Sequence, residues 1–278
     1  MKITPRDDDI FCFITPLMTM KRFVVCSLDS NKKYLIRPLV ITINEVYNNM
    51  KTLKKINFFG DSILKGVQIH PDTGRYHVDC HINTALIAEK FEGEIENFSS
   101  FGCTVIRGRR QIEKFFANNG QCDAIVMNYG GNDCDYNWGE IAANPEGVHT
   151  PNVPINEFEE LYYQLIDLVK SAGVTPILCT LTPLEPQRFL DWFCRDLDKE
   201  VVLQWLDGVN SIYRHQENYS RRVEKIARTA NVPLVDLRGA ILAYPRAGQL
   251  LCEDGTHVNT QGQQVLTGAF AEYICKNL

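Results

Sequence analysis

In the stretch "INFFGDSILKGV", Ile56 to Val67, an apolar run ends in Gly60-Asp61-Ser62. A serine directly after a core strand, at the carboxyl end of a parallel sheet, stands where a hydroxyl could attack a substrate. Asp and Ser are also common helix caps, and alone the stretch reads as a cap. Three further stretches change that balance. "CEDGTHVNTQG", Cys252 to Gly262, sets Asp254 and His257 three residues apart. In a helical turn that spacing puts both on one face. The carboxylate can then accept from one imidazole nitrogen while the other faces a hydroxyl, the orienter–base relation a serine nucleophile requires. "NYGGNDCD", Asn128 to Asp135, turns tightly at Gly130 and Gly131 and then offers the side-chain N–H of Asn132. "SSFGCT", Ser99 to Thr104, places Gly102 where its backbone N–H is unobstructed. Each has an ordinary use as well, as turn sequence or as a solvated Asp/His pair.

These stretches need elements that bring them to one edge. From Ile56 onward strands and helices alternate. Strand candidates are "INFFG" (56–60), "EIENFS" (94–99), "AIVMNYG" (124–130), "TPILCTLT" (175–182) and "PLVDL" (233–237). The clearest helix is "NEFEELYYQLIDLVKSAG", with Asn156 as its cap, Glu159 three residues on and Gly173 at its end. Phe158, Leu161, Tyr162, Leu165, Leu168 and Val169 form its apolar stripe. Thr260 and Gln263 form a capping box for the last helix. Alternating strands and helices predict an α/β fold, a parallel sheet covered on both faces, with its sites at the carboxyl ends of the strands. The four stretches all follow strands or precede the last helix. Residues 184–230 are long for a crossover and carry Trp192, Trp205 and Tyr213 on helices, mostly as packing.

Taken together, "GDS", the glycine after the second strand, "GGND" and the "DGTH" pair resemble the SGNH hydrolase superfamily, often called GDSL esterases. The resemblance runs from Ile56 to the carboxyl terminus. It implies a three-layer α/β/α sandwich with a mainly parallel, five-stranded, flavodoxin-like sheet. It also implies a nucleophile at Ser62, a base at His257 and an orienting carboxylate at Asp254. The backbone N–H groups of Ser62 and Gly102 and the side chain of Asn132 would form the oxyanion hole. Gly60, Asp61, Gly131 and Asp133 would support the motifs. Many members carry proline after the histidine, where this chain has Val258, which leaves the Asp/His pair intact. No metal and no organic cofactor is implied.

The 278 residues suffice for one large α/β domain, with a net charge of −5 that argues against a nucleic-acid surface. The densest basic spot, "RGRR" at 107–110, reads as a solvated face. The ten cysteines contain no Cys-x-x-Cys and read as thiols in a reducing cytoplasm. No stretch approaches the length of a membrane span. Residues 1–49 differ in character, with two strand-like runs around a polar turn at Asp29 to Lys32. They form either a small β appendage or sequence upstream of a natural start at Met50, with the catalytic domain over 50–278. The expected activity is hydrolysis of a small acyl ester, with deacetylation of a carbohydrate favoured and Trp138 as a sugar-stacking platform or a core anchor. Alternatives with the same triad are a lysophospholipase or thioesterase-type acylhydrolase and an O-acyltransferase. The non-enzymatic alternative is an inactive ligand-binding relative, which should have lost a catalytic residue. A nucleotide-binding domain should show Gly-x-Gly-x-x-Gly or a Walker loop after its first strand, and neither is present. The oligomeric state is not written in the sequence.

Overall fold

The computed structural model describes residues 53–278, apart from 79–81, 83 and 278, and four two-residue strands nearer the amino terminus. Those strands pair antiparallel, Cys12–Phe13 with Val24–Val25 and Ser27–Leu28 with Tyr34–Leu35. The second pair lies on either side of Asp29 to Lys32, expected as a polar turn, which fall outside the described residues. The remaining expectations for residues 1–49 and for a start at Met50 lie outside the described residues. The chain divides into two compact units, Met1–Thr52 and Leu53–Leu278.

The larger unit opens with β1 (Lys55–Gly60), the short helix α1 (Ser62–Lys65) and an antiparallel hairpin of β2 (Val67–Ile69) and β3 (Tyr76–Val78). It continues through α2 (Thr84–Phe91), β4 (Glu94–Asn97), α3 (Val105–Ala117), β5 (Ala124–Asn128), α4 (Trp138–Ala143), α5 (Ile155–Ser171) and β6 (Thr175–Cys179). Three helices follow, α6 (Pro186–Phe193), α7 (Lys199–Leu206) and α8 (Asn210–Ala230). The unit closes with β7 (Leu234–Val235), α9 (Leu237–Leu242) and α10 (Thr260–Asn277). The five-stranded sheet is parallel throughout, in the order β7-β6-β5-β1-β4, which is the flavodoxin-like winding.

Side chains alternate across a strand, so each continuous apolar run feeds two cores. Phe59, Ile125, Met127 and Leu178 face one layer with α3, α5 and α8, against Ile112, Phe158, Tyr162, Leu165 and Val223. Phe58, Val126, Ile177 and Cys179 face the other with α2, α9 and α10, against Ile87, Ile241, Leu266 and Phe270. A third, smaller cluster joins Leu184, Leu190, Val202, Leu206 and Ile212 with the partly buried rings of Trp138, Phe189, Phe193 and Trp205. The stretch that looked long for a crossover thus carries a packed group of its own.

Two expected caps are replaced by others. Asn156 lies inside α5, which begins at Ile155 after Pro154 and has no side-chain cap. Glu159 pairs instead with Arg222 and Lys225 of α8. The cap of α10 is Asn259, whose Oδ1 accepts from the Gly262 amide at 3.0 Å. Thr260 reaches Gln68, and the Gln263 amide donates to the Ile63 carbonyl of α1 at 3.1 Å. In both cases long-range partners outcompete the local motif. "RGRR" begins with an exposed Arg107 but buries Gly108.

Gly108 on α3 marks a close approach. A Cβ there would sit 2.2 Å from the Tyr129 ring, which is fully buried. Gly108→Ala should therefore lower stability despite the better helix propensity of alanine. Overpacking typically costs about 1–3 kcal/mol, against ~1 kcal/mol gained by propensity. The melting temperature should drop by several degrees at roughly 2–4 °C per kcal/mol. An unchanged or raised melting temperature would show that Tyr129 gives way freely.

Candidate active site

Strand register decides which loops meet. Gly60 of β1 pairs with Asn128 of β5, so the chain leaves both strands at the same level. The Ser100 amide donates to the Gly60 carbonyl at 3.0 Å, which carries the loop after β4 to the same edge. Ser62 begins α1. Asp61 caps that helix through Oδ1, which accepts from the Ile63 amide at 2.9 Å. Gly60 lies against Leu64 and the Asn128 carbonyl, where a Cβ would come within 2.9 and 3.1 Å.

His257 arrives from a turn before α10. Leu251 and Val258 form an isolated bridge, and the Cys252 amide donates to the His257 carbonyl at 2.7 Å. Gly255 at the apex has a φ of 69°, and a Cβ there would meet the Glu185 carbonyl at 2.5 Å. Only glycine fits this turn. Asp254 is fully buried; its Oδ1 accepts from the Thr256 and His257 amides, both at 3.1 Å. Its Oδ2 lies 2.5 Å from Nδ1 of His257, and Nε2 of the same ring lies 2.8 Å from Ser62 Oγ. Burial pushes the Asp254 carboxyl up, but the hydrogen bond and charge of His257 and the two amides outweigh it, so the net shift is downward. An ionised Asp254 accepts a proton bond at Nδ1, which leaves Nε2 to accept from the serine hydroxyl. The rings of Tyr76 and Phe101 lie 5.2 and 6.1 Å from the imidazole.

Asn132 follows the β5 turn. Its Nδ2 donates to Asp61 Oδ2 and to the Cys103 carbonyl, each at 3.3 Å. These long bonds aim the amide between the turns after β1 and β4. Gly131 lies beside Asp61, with a would-be Cβ 3.4 Å from Oδ2. Gly102 has a φ of 64° on an exposed turn, with open space where a Cβ would go. Asp133 is fully buried, its Oδ1 accepting from the first amide of α3, Val105, at 2.8 Å. Burial, opposed by that amide and reinforced by the charge of Asp61, pushes its carboxyl up from 3.8 to about 7. Burial likewise pushes Asp61 up to about 6, against the Ile63 amide and the charge of His257.

A cavity of about 250 Å³ has Ser62, His257, Asp61 and Asn132 in its wall. Trp138 lines it too, and also packs as an anchor. Its ring stacks on Phe193 at 4.0 Å, and its Nε1 donates to Asp135 at 2.8 Å. Of the residues on 184–230, the wall takes Leu184, Phe189, Leu206, Ile212, His215 and Gln216 instead of Trp192, Trp205 or Tyr213. Tyr76 lies in none of the four stretches, and Phe101 lies in "SSFGCT" beside Gly102 with no role read from it. Their placement depends on a hairpin and a loop whose direction no local pattern encodes.

With this geometry in hand, comparison with known proteins is direct. A model of the GDSL-like lipase/acylhydrolase family matches residues 58–265, and the chain belongs to that family. Membership makes it a hydrolase by class. A lipase/acylhydrolase from Enterococcus faecalis superposes with a TM-score of 0.57 at 18% identity, over 81% of this chain and 97% of the other. A catalytic mutant of an acetylxylan esterase from Geobacillus stearothermophilus gives 0.54 at 21% identity, over 80% and 94%. LAE5, an α/β hydrolase from the Lake Arreo metagenome, gives 0.55 at 21%, over 81% and 97%. At these identities the likeness is one of fold. No curated protein matches the sequence significantly. Among the described residues no helix is long and apolar enough to cross a membrane.

The buried acid has a consequence for stability. Asp133 holds its proton up to about pH 7 when folded, whereas an ordinary aspartate releases it near 3.8. Unfolding therefore releases a proton between those values, and this group's contribution to stability falls as pH rises through that window. Asp133→Asn keeps an acceptor for the Val105 amide and removes the titration. Its unfolding free energy should fall less between pH 4 and 7 than that of the parent, by roughly 1–3 kcal/mol, as read from denaturant unfolding at each pH. Parallel pH profiles for the two proteins would refute the raised carboxyl.

Proposed function

We propose that the chain is a serine esterase in which Ser62 is the nucleophile, His257 the general base and Asp254 its orienting carboxylate. The observation that carries this reading is the unbroken hydrogen-bonded line from Asp254 through His257 to Ser62. A serine hydroxyl is a weak nucleophile until its proton is taken. His257 Nε2 accepts that proton as Oγ attacks the ester carbonyl, and buried Asp254 stabilises the imidazolium. The Asn132 side chain and the backbone N–H groups of Ser62 and Gly102 are the proposed donors to the oxyanion. Either Asp61 or the Cys103 carbonyl must then share Asn132 with the substrate, since both amide hydrogens are engaged in the free protein. Collapse expels the alcohol, which takes the proton from His257. A water activated by the same imidazole then releases the acid. The steps balance without a metal or an organic cofactor.

The alcohol leaves on the His257 side, beside Tyr76 and Phe101, whose rings are 42% and 47% exposed. Such rings present apolar faces to a bound alcohol. They support a carbohydrate as the alcohol half of the ester, the class named for the acetylxylan esterase above. The buried thiols of Cys103, Cys134, Cys179, Cys194 and Cys252 support a reducing, cytoplasmic setting.

Ser62→Ala should lower kcat on p-nitrophenyl esters by about 10⁴-fold or more while the protein stays folded. Near-normal turnover in the folded variant would remove Ser62 from the nucleophile's role. Asp254→Asn should cost roughly 10⁴ in kcat. Full activity in Asp254→Asn would argue for another base.

Asn132→Ala tests the oxyanion donor separately. Its loss should appear in kcat, by about 10²–10³, with little change in KM. A change confined to KM would make Asn132 a ground-state contact.

A further inference from the structure

We propose that Leu181, Leu184, Phe189, Leu206 and Ile212 form an acyl-chain pocket, so that the preferred esters carry acyl groups of about four to eight carbons instead of acetyl. The inference rests on the serine-esterase reading and names the half of the substrate that reading leaves open.

The carbon attacked by Ser62 carries four substituents in the tetrahedral intermediate. One is Ser62 Oγ itself. The oxyanion points toward Asn132, and the leaving oxygen must lie near His257 Nε2, on the side of Tyr76 and Phe101. The acyl chain takes the direction that remains. The rest of the cavity wall on that side comes from the loop after β6 and from α6, α7 and α8, and its five apolar side chains are those named above. Leu181, Leu184, Leu206 and Ile212 are otherwise buried, with 3% to 9% of their surface exposed.

Polar groups share this wall, and several of their atoms are engaged with the protein. Gln216 donates to the Thr182 carbonyl at 2.7 Å and its Oε1 accepts from Arg238 at 3.0 Å. His215 Nε2 lies 3.0 Å from the Cys134 carbonyl. Asp135 Oδ1 accepts from Trp138 and from the Tyr136 amide. A sugar seated here would meet mostly the five apolar side chains, whereas an alkyl chain needs no hydrogen-bond partner.

Size points the same way. An apolar cavity of about 150 Å³ holds benzene. The cavity here is about 250 Å³ over both sides of Ser62, so even half of it on the acyl side is more than the methyl of an acetyl group fills. The wall is also held in place. Ser220 Oγ accepts from the Leu181 amide at 3.3 Å, and the α6–α8 rings pack behind Phe189 and Leu206. A fixed, partly empty apolar pocket gains affinity with each added methylene until it is filled.

The test uses the full chain with p-nitrophenyl acetate, butyrate, hexanoate, octanoate and dodecanoate. kcat/KM should rise about fourfold per methylene from acetate to hexanoate, on the order of 10² overall, and decline by dodecanoate. Ile212→Trp and, separately, Leu206→Trp should lower the hexanoate-to-acetate ratio tenfold or more. Ile212→Ala should move the optimum to a longer chain, and it decides the matter where a tryptophan variant fails to fold. Stoichiometric labelling of Ser62 by a fluorophosphonate reports an intact nucleophile in each protein. Labelled, folded proteins that prefer acetate, or whose ratio ignores position 212, would overturn the acyl pocket and leave the esterase reading standing. No labelling and no turnover of any ester would overturn both.

Discussion

The bond from His257 Nε2 to Ser62 Oγ joins residues 195 positions apart in the chain. Neither residue has a local reason to be where it is without the other. Holding the bond at 2.8 Å requires the first strand and the last helix to be fixed against one sheet. Two contacts do this directly. Gln263 of α10 donates to the Ile63 carbonyl of α1, and the Leu251–Val258 bridge clamps the turn that carries Asp254 and His257. The register of β1 against β5 then sets Asn132 beside Asp61, one residue from the serine. Most of the core serves this geometry. The apolar runs of the strands exist to bury both faces of the sheet whose edge presents these loops.

That edge concentrates buried carboxylates. Asp61, Asp133 and Asp135 are each pushed up by burial, to about 6, about 7 and about 6. Burying them costs stability, and hydrogen bonds offset only part of it. Each nevertheless fixes something. Asp61 caps α1 and holds Asn132; Asp133 caps α3 from another segment; Asp135 anchors Trp138. Asp254 differs in the sign of its shift, because the imidazole and two amides supply enough compensation to keep it charged. Two kinds of acid therefore sit within one edge. The lowered one faces a base, and the raised ones organise loops.

The fold was legible because its signals are local. Continuous apolar runs at Phe58, Val126 and Ile177, each followed by glycine or polar residues, mark strands buried on both faces. The residues that meet at the cavity were legible for a related reason. Each follows a strand or precedes a helix, and the chain path alone brings such positions to one edge. What was missed is long-range. Asn156 reads as a cap, yet Pro154 sets the start of α5 and Glu159 turns to Arg222 and Lys225. Tyr76 and Phe101 belong to a hairpin and a turn that only the assembled sheet aims at the imidazole. Trp138 reads in the sequence as a sugar-stacking platform or a core anchor; its stacking on Phe193 fits the anchor, and its ring also lines the cavity.

The segment between β6 and β7 supplies what the motifs do not. The sheet edge alone would present the serine in an open groove. Helices α6, α7 and α8 add a third apolar cluster there, and its inner surface becomes one side of the cavity. The other side, at Tyr76 and Phe101, stays open to solvent. One wall is thus closed, apolar and internally hydrogen-bonded, and the opposite wall is exposed and aromatic. A ligand that fits both walls must itself be asymmetric, with an apolar end. Such a division lets selection act on each wall separately, through residues of α7 and α8 on one side and of the hairpin and the β4 loop on the other. The reacting atoms between them stay fixed by the sheet, which neither wall needs to disturb.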